Sequence, residues 1–164
     1  MSEQAGIRTA KEASDHELIQ AFGRLQGAAN RLEYILGRAL EEECGISHLM
    51  FEVLLILGRA GAPGLSMRAI AQEQVLTTGG ATRLVDRMVA AGLVARAESP
   101  DDRRAKLVRL TSLGEETTVR ASQVHVANIR RYFLEPLPAE DRDRFAEDLR
   151  ILSHTARDVL PRLP

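Results

Sequence analysis

A chain of 164 residues with 45% hydrophobic and 27% charged side chains is long enough to bury a core, alone or shared in a dimer, and reads as an ordinary soluble domain. Its longest apolar run, Val53 to Leu57, is far short of a membrane span, and the opening MSEQAGIRTAKEASDHE lacks the apolar stretch of a secretory signal. A cytoplasmic protein with no membrane partner is therefore expected. Net charge is −1, but it is unevenly spread: residues 59–109 carry +4 between flanks of −4 and −1, and phosphate recognition needs a local positive field rather than a basic whole.

Residues 1–13 show no clear pattern and are expected to be flexible. From Ser14 to about Glu43 the apolar residues Leu18, Phe22, Leu25, Ala29, Leu32, Leu36 and Leu40 recur in steps of three and four, the stripe of a long amphipathic helix. Ser14 or Asp15 is placed to cap it and Gly45 to end it. Ser47 then caps a second helix with Met50, Phe51, Val53, Leu54 and Leu57 on its apolar face, and Gly58 to Gly64 form a turn cluster. Ser66 caps a short helix turning Met67, Ile70 and Ala71 inward. After a tight connection at Val75-Leu76, Thr77 caps a helix that stops at Gly92.

Beyond Gly92 the period changes from 3.6 to 2. Leu93 to Glu98 and Lys106 to Leu110 read as two strands joined by a charged turn at Ser99-Pro100-Asp101-Asp102. Thr111 caps another long helix carrying Val119, Val124, Ile129 and Phe133, which Pro136 and Pro138 break. A last helix repeats Phe145, Leu149, Leu152 and Ala156 before Pro161. The expected fold is mainly α with a small β-hairpin wing, in the order α-α-α-α-β-β-α-α. Residues 46–111 form a winged helix-turn-helix, and residues 14–45 with 112–161 a helical dimerisation region.

The chemistry concentrates on the fourth helix. Ala81, Leu84, Val85 and Met88 follow i, i+3, i+4, i+7 and face a core, which leaves Thr78, Gly79, Thr82, Arg83, Asp86 and Arg87 outward. Short polar groups at the helix start with cations farther along suit a helix entering the major groove. Gly79-Gly80 costs helix stability, which makes sense where a backbone must approach another surface closely, or else leaves a flexible first turn. Arg103 and Arg104 follow the hairpin turn, Arg96 and Lys106 lie on the strands, and Asp102 is spaced to pair with Arg104 and stiffen the tip. A solvated hairpin edge explains Arg96 and Lys106 equally well.

The stretch SMRAIAQEQVLTTGGATRLVDRMVAAGLVARAESPDDRRAKLVRLT, residues 66–111, resembles the core of the MarR family of bacterial winged helix-turn-helix transcriptional regulators. The matching features are TRLVDR at Thr82 to Arg87, GLV-x-R at Gly92 to Arg96, D-x-R at Asp102 to Arg104, and Leu110-Thr111. The resemblance implies a homodimer whose end helices interlock, placing two winged domains across a pseudo-palindromic site in double-stranded DNA. It also implies repression relieved by a small aromatic or phenolic effector, with no cofactor. The candidate DNA-binding residues are Ser66, Thr77, Thr78, Gly79, Gly80, Thr82, Arg83, Asp86, Arg87, Arg96, Arg103, Arg104 and Lys106. His48, Met50, Phe51 and Met67 are candidates for an effector pocket, although Met50 and Phe51 also sit at core spacing.

Peroxide-sensing members carry a reactive cysteine early in the first helix. Here Cys44 comes at that helix's end beside Glu41, Glu42 and Glu43, carboxylates that disfavour a thiolate. The four histidines are scattered, Cys44 with His48 makes too few ligands for zinc, and no catalytic motif is present. The chain is thus read as a non-enzyme without a metal. The alternative is a helical protein-interaction module whose winged helix docks a protein partner; such a surface would more often present apolar anchors than Thr82, Arg83 and Arg87.

Overall fold

Short polar side chains set most of the helix boundaries. The Ser47 hydroxyl accepts from the Met50 N–H at 3.3 Å, Ser66 from Ala69 at 3.2 Å, Thr77 from Gly80 at 3.2 Å and Thr111 from Gly114 at 3.0 Å. Each satisfies an amide that the helix itself cannot, an effect of about 1 kcal/mol. The computed structural model describes residues 6–74, 76–98 and 106–159. Its elements are α1 (Ala10–Asp15), α2 (Glu17–Cys44), α3 (His48–Ala60), β1 (Leu65–Ser66), α4 (Met67–Glu73), α5 (Thr78–Ala90), β2 (Val94–Glu98), β3 (Lys106–Leu110), α6 (Ser112–Ile129) and α7 (Arg142–Val159). A π-helical turn at Arg130–Leu134 continues α6, and a 3₁₀ turn at Ala139–Asp141 precedes α7. No helix among the described residues is long and apolar enough to cross a membrane.

The chain divides into two units, residues 1–35 and 36–164. In the first, α1 is capped by Thr9, whose hydroxyl accepts from Glu12 N–H at 3.1 Å. Residues 10–13 are therefore helical. Neither Ser14 nor Asp15 starts the long helix: Ser14 donates to the Lys11 carbonyl inside α1, and the His16 ring accepts from Leu18 N–H at 3.3 Å where α2 begins. Leu18, Phe22 and Leu25 are 74%, 60% and 45% exposed, so this part of the predicted stripe faces outward.

In the second unit, Leu40, Val53, Leu54, Ile70, Val85 and Met88 are fully buried, with Phe51, Leu84, Val94, Val108 and Ala121 within a few per cent of it. The sheet is antiparallel in the order β1-β3-β2, with Leu65 opposite Val108 and Val94 opposite Leu110. It has three strands, one more than the predicted hairpin. At Gly64 (φ 104°) a Cβ would lie 2.3 Å from the Val108 carbonyl oxygen, so only glycine lets the chain enter β1 this close to β3. The predicted turn at Gly58 is also shifted, because α3 continues to Ala60 and Gly61 ends it at φ 62°.

One face of α6 packs on the core of the second unit. Gly114, Thr117 and Ala121 are buried there, and Ala121 belongs to the same core as Leu54 and Val85. Small residues let α6 lie against that core, so its inner face is part of the winged unit. By contrast α7 has no buried residue, and Leu152 and Val159 are 57% and 76% exposed. Its nearest side-chain anchor is the Phe133–Phe145 pair, ring centroids 5.7 Å apart. Arg142 holds the corner before it, donating to the Leu137 carbonyl at 3.1 Å.

Candidate nucleic-acid interface

The site is assembled from α4, α5 and the β2–β3 pair. α4 stops at Gln74, and the Leu76 N–H donates to the Ala71 carbonyl at 2.9 Å, a tight reversal before Thr77 caps α5. Ala81, Leu84, Val85 and Met88 are all 2% exposed or less. Their burial fixes the rotation of α5 about its own axis and leaves Gly79, Thr82, Arg83, Asp86 and Arg87 on the solvent face. Thus α5 presents the face that the sequence predicts. Thr78 lies within the helix, but its side chain falls outside what the structure describes. Ser66 and Thr77 are brought to the helix starts as caps, with their hydroxyls already accepting backbone bonds.

Two of the candidates are joined to each other. The Arg96 guanidinium on β2 donates to the Asp86 carboxylate on α5 at 2.5 Å, with side chains 36% and 54% exposed. This pair ties the strand leading to the wing to the exposed face of α5. Arg96 and Asp86 therefore act first on one another, and the cations left on that face are Arg83 and Arg87. Lys106 is exposed and stands directly opposite Glu98 in the β2–β3 register, a cross-strand position of opposite charges. Arg103 and Arg104, with the predicted Asp102–Arg104 pair, lie outside the described residues.

The predicted effector residues differ in their burial. Phe51 is 2% exposed, in the core, and Met50 and Met67 pack against that core. His48 is half-buried, its ring 5.1 Å from that of His125, which also meets Phe51 edge-on at 4.9 Å. Sequence reading missed His125, because nothing in local spacing links it to a residue 77 positions away. A shallow concavity on α6, lined by Ser122, Gln123, Val126, Ala127 and Arg130, shares no residue with the predicted set. Cys44 is buried at the end of α2, where Arg120 donates to its carbonyl at 3.4 Å.

This arrangement is similar to that of known proteins. Residues 45–105 match the family model described as the MarR family. The HTH-type transcriptional regulator PapX of Escherichia coli is 39% identical over 70 residues, 43% of each chain; the match thus spans less than half the length of that relative. Two solved structures align over nearly the whole chain. Sco3205, a MarR family transcriptional regulator from Streptomyces coelicolor solved in complex with DNA, has a TM-score of 0.77 at 26% identity, covering 95% of this chain and 96% of its own. CouR from Rhodococcus jostii RHA1, bound to p-coumaroyl-CoA, has a TM-score of 0.71 at 26% identity, covering 90% and 96%.

Proposed function

We propose that the chain, which matches the MarR family model over residues 45–105, is a sequence-specific DNA-binding transcriptional regulator of that family and not an enzyme, acting in the cytoplasm as a homodimer on a pseudo-palindromic operator. The observation that carries this reading is the division of α5. One face is sealed into the core through Ala81, Leu84, Val85 and Met88, while the other offers Thr82, Arg83 and Arg87 to solvent. Arginine pairs bidentately with guanine edges or with phosphates, and a threonine hydroxyl or methyl meets either base edges or a thymine methyl. That face carries no large apolar side chain to anchor a protein partner, so DNA is favoured over protein docking.

The homodimer is supported by the apolar side chains each unit leaves outward, Leu18 and Phe22 in the first and Leu152 and Val159 in the second. A two-fold partner is the simplest cover for them, because an isologous interface pairs one surface with itself. Two recognition helices so related fall about 34–36 Å apart, one turn of DNA. A dimer occupying such a site blocks access to it, which is repression. Release by a small aromatic or phenolic ligand is supported by CouR, whose p-coumaroyl ligand is phenolic.

Sequencing the DNA that the purified chain retains from sheared genomic fragments tests the proposal. Enrichment of inverted half-sites centred about 10 base pairs apart is expected. Recovery of unenriched DNA would remove sequence-specific binding.

A further inference from the structure

The two adjacent glycines of α5, alike in sequence, differ in structure. A Cβ on Gly80 would stand 3.3 Å from the Thr77 hydroxyl, the group that caps the helix by accepting from the Gly80 N–H. Glycine there protects the cap. A Cβ on Gly79 would meet nothing within 4 Å, its φ is not in the left-handed region, and the residue is exposed. Nothing among the described residues of the winged unit requires glycine at 79, and alanine holds a helix better. Gly23 in α2 is likewise open, but only Gly79 begins the stripe continued by Thr82, Arg83 and Asp86 at i+3, i+4 and i+7.

We propose that Gly79 is a specificity-determining residue at which DNA comes into van der Waals contact with the bare backbone of α5, the close approach that lets Thr82 and Arg83 reach base edges. The missing side chain is thus a shape feature of the reading surface. A methyl group there fills space that belongs to the ligand, holding the whole stripe away from the groove. This inference rests on the DNA-binding reading above and assigns one residue within it.

The test compares Gly79→Ala and Gly80→Ala with the unmodified chain, by thermal unfolding and by fluorescence anisotropy on the selected operator and on a scrambled duplex. Gly79→Ala is expected to raise Tm by about 2–4 °C while weakening operator binding at least tenfold and scrambled-duplex binding much less. Gly80→Ala is expected to lower Tm, because its methyl presses on the cap. A Gly79→Ala protein that is more stable and binds the operator as the unmodified chain does overturns the proposal. So does a fall in its Tm, which would give Gly79 an internal role. Failure of the unmodified chain to prefer any operator over the scrambled duplex refutes instead the DNA-binding reading on which this one stands.

Discussion

α5 and α7 are both amphipathic helices of one unit, yet their apolar residues end in opposite places. In α5, Ala81, Leu84, Val85 and Met88 are enclosed. In α7, Phe145 and Leu149 are half-buried and Ile151, Leu152 and Val159 lie open. The apolar stripe of α5 is satisfied within the chain, so what remains outside is polar, charged or bare: Thr82, Arg83, Asp86, Arg87 and Gly79. The stripe of α7 is left open, so what remains outside is apolar. In the proposed function the same amphipathic pattern serves a reading surface in one case and an assembly surface in the other, and the difference lies in what packs behind it.

The sharpest way to break this contrast is Leu152→Asp. Leu152 is 57% exposed in the protomer, so the isolated chain tolerates a charge there, whereas a buried, unpaired carboxylate in an interface costs several kcal/mol. Sedimentation at micromolar concentration is expected to show a mass falling from twice 18.1 kDa to 18.1 kDa, with helix content retained. An unmodified chain already sedimenting as a monomer would remove the assembly role of α7.

On the other side of the contrast, Arg83→Ala is expected to weaken operator binding by about 1–3 kcal/mol and to leave circular dichroism and dimer mass unchanged, since Arg83 is exposed. Unaltered affinity in the folded variant would withdraw the assignment of α5 as the reading helix. The smallest effect is expected from Asp86→Asn. An exposed ion pair contributes only about 0–1 kcal/mol, so Tm should barely move. Arg96, released from its partner, becomes available to a phosphate. The slope of log affinity against log salt on a scrambled duplex should then steepen by about one. A slope that does not change would mean that Arg96 keeps its place without Asp86.

Much of this was legible in sequence because it is local. Ser47, Ser66, Thr77 and Thr111 announce helices by chemistry acting three residues away, and the i, i+3, i+4, i+7 spacing of Ala81 to Met88 gives the rotation of α5. What was not legible depends on distant neighbours. β1 is two residues long and exists only because β3 lies beside it, so no alternation can reveal it. The burial of α6 rests on Gly114, Thr117 and Ala121, whose small side chains barely register as an apolar stripe. Asp86 and Arg96 are ten positions apart on different elements, and each alone looks like a free charge. His125 meets His48 and Phe51 through packing of α6 on α3, which spacing along either helix does not encode.

The corner at Thr111 has a mechanical consequence. Its N–H donates to the Leu93 carbonyl at 3.1 Å and its hydroxyl to the Gly92 carbonyl at 2.6 Å. A side chain on Gly114 would stand 2.0 Å from that same Leu93 oxygen. Leu93 in turn donates to the Met88 carbonyl at the end of α5 at 3.0 Å. α6 is therefore clamped to the last turn of α5 through a joint with no slack, and its 18 residues make it an arm about 27 Å long. Together with Ala121, buried in the same core as Val85, that joint makes α6 and the end of α5 one rigid piece, with nothing between them to absorb a strain.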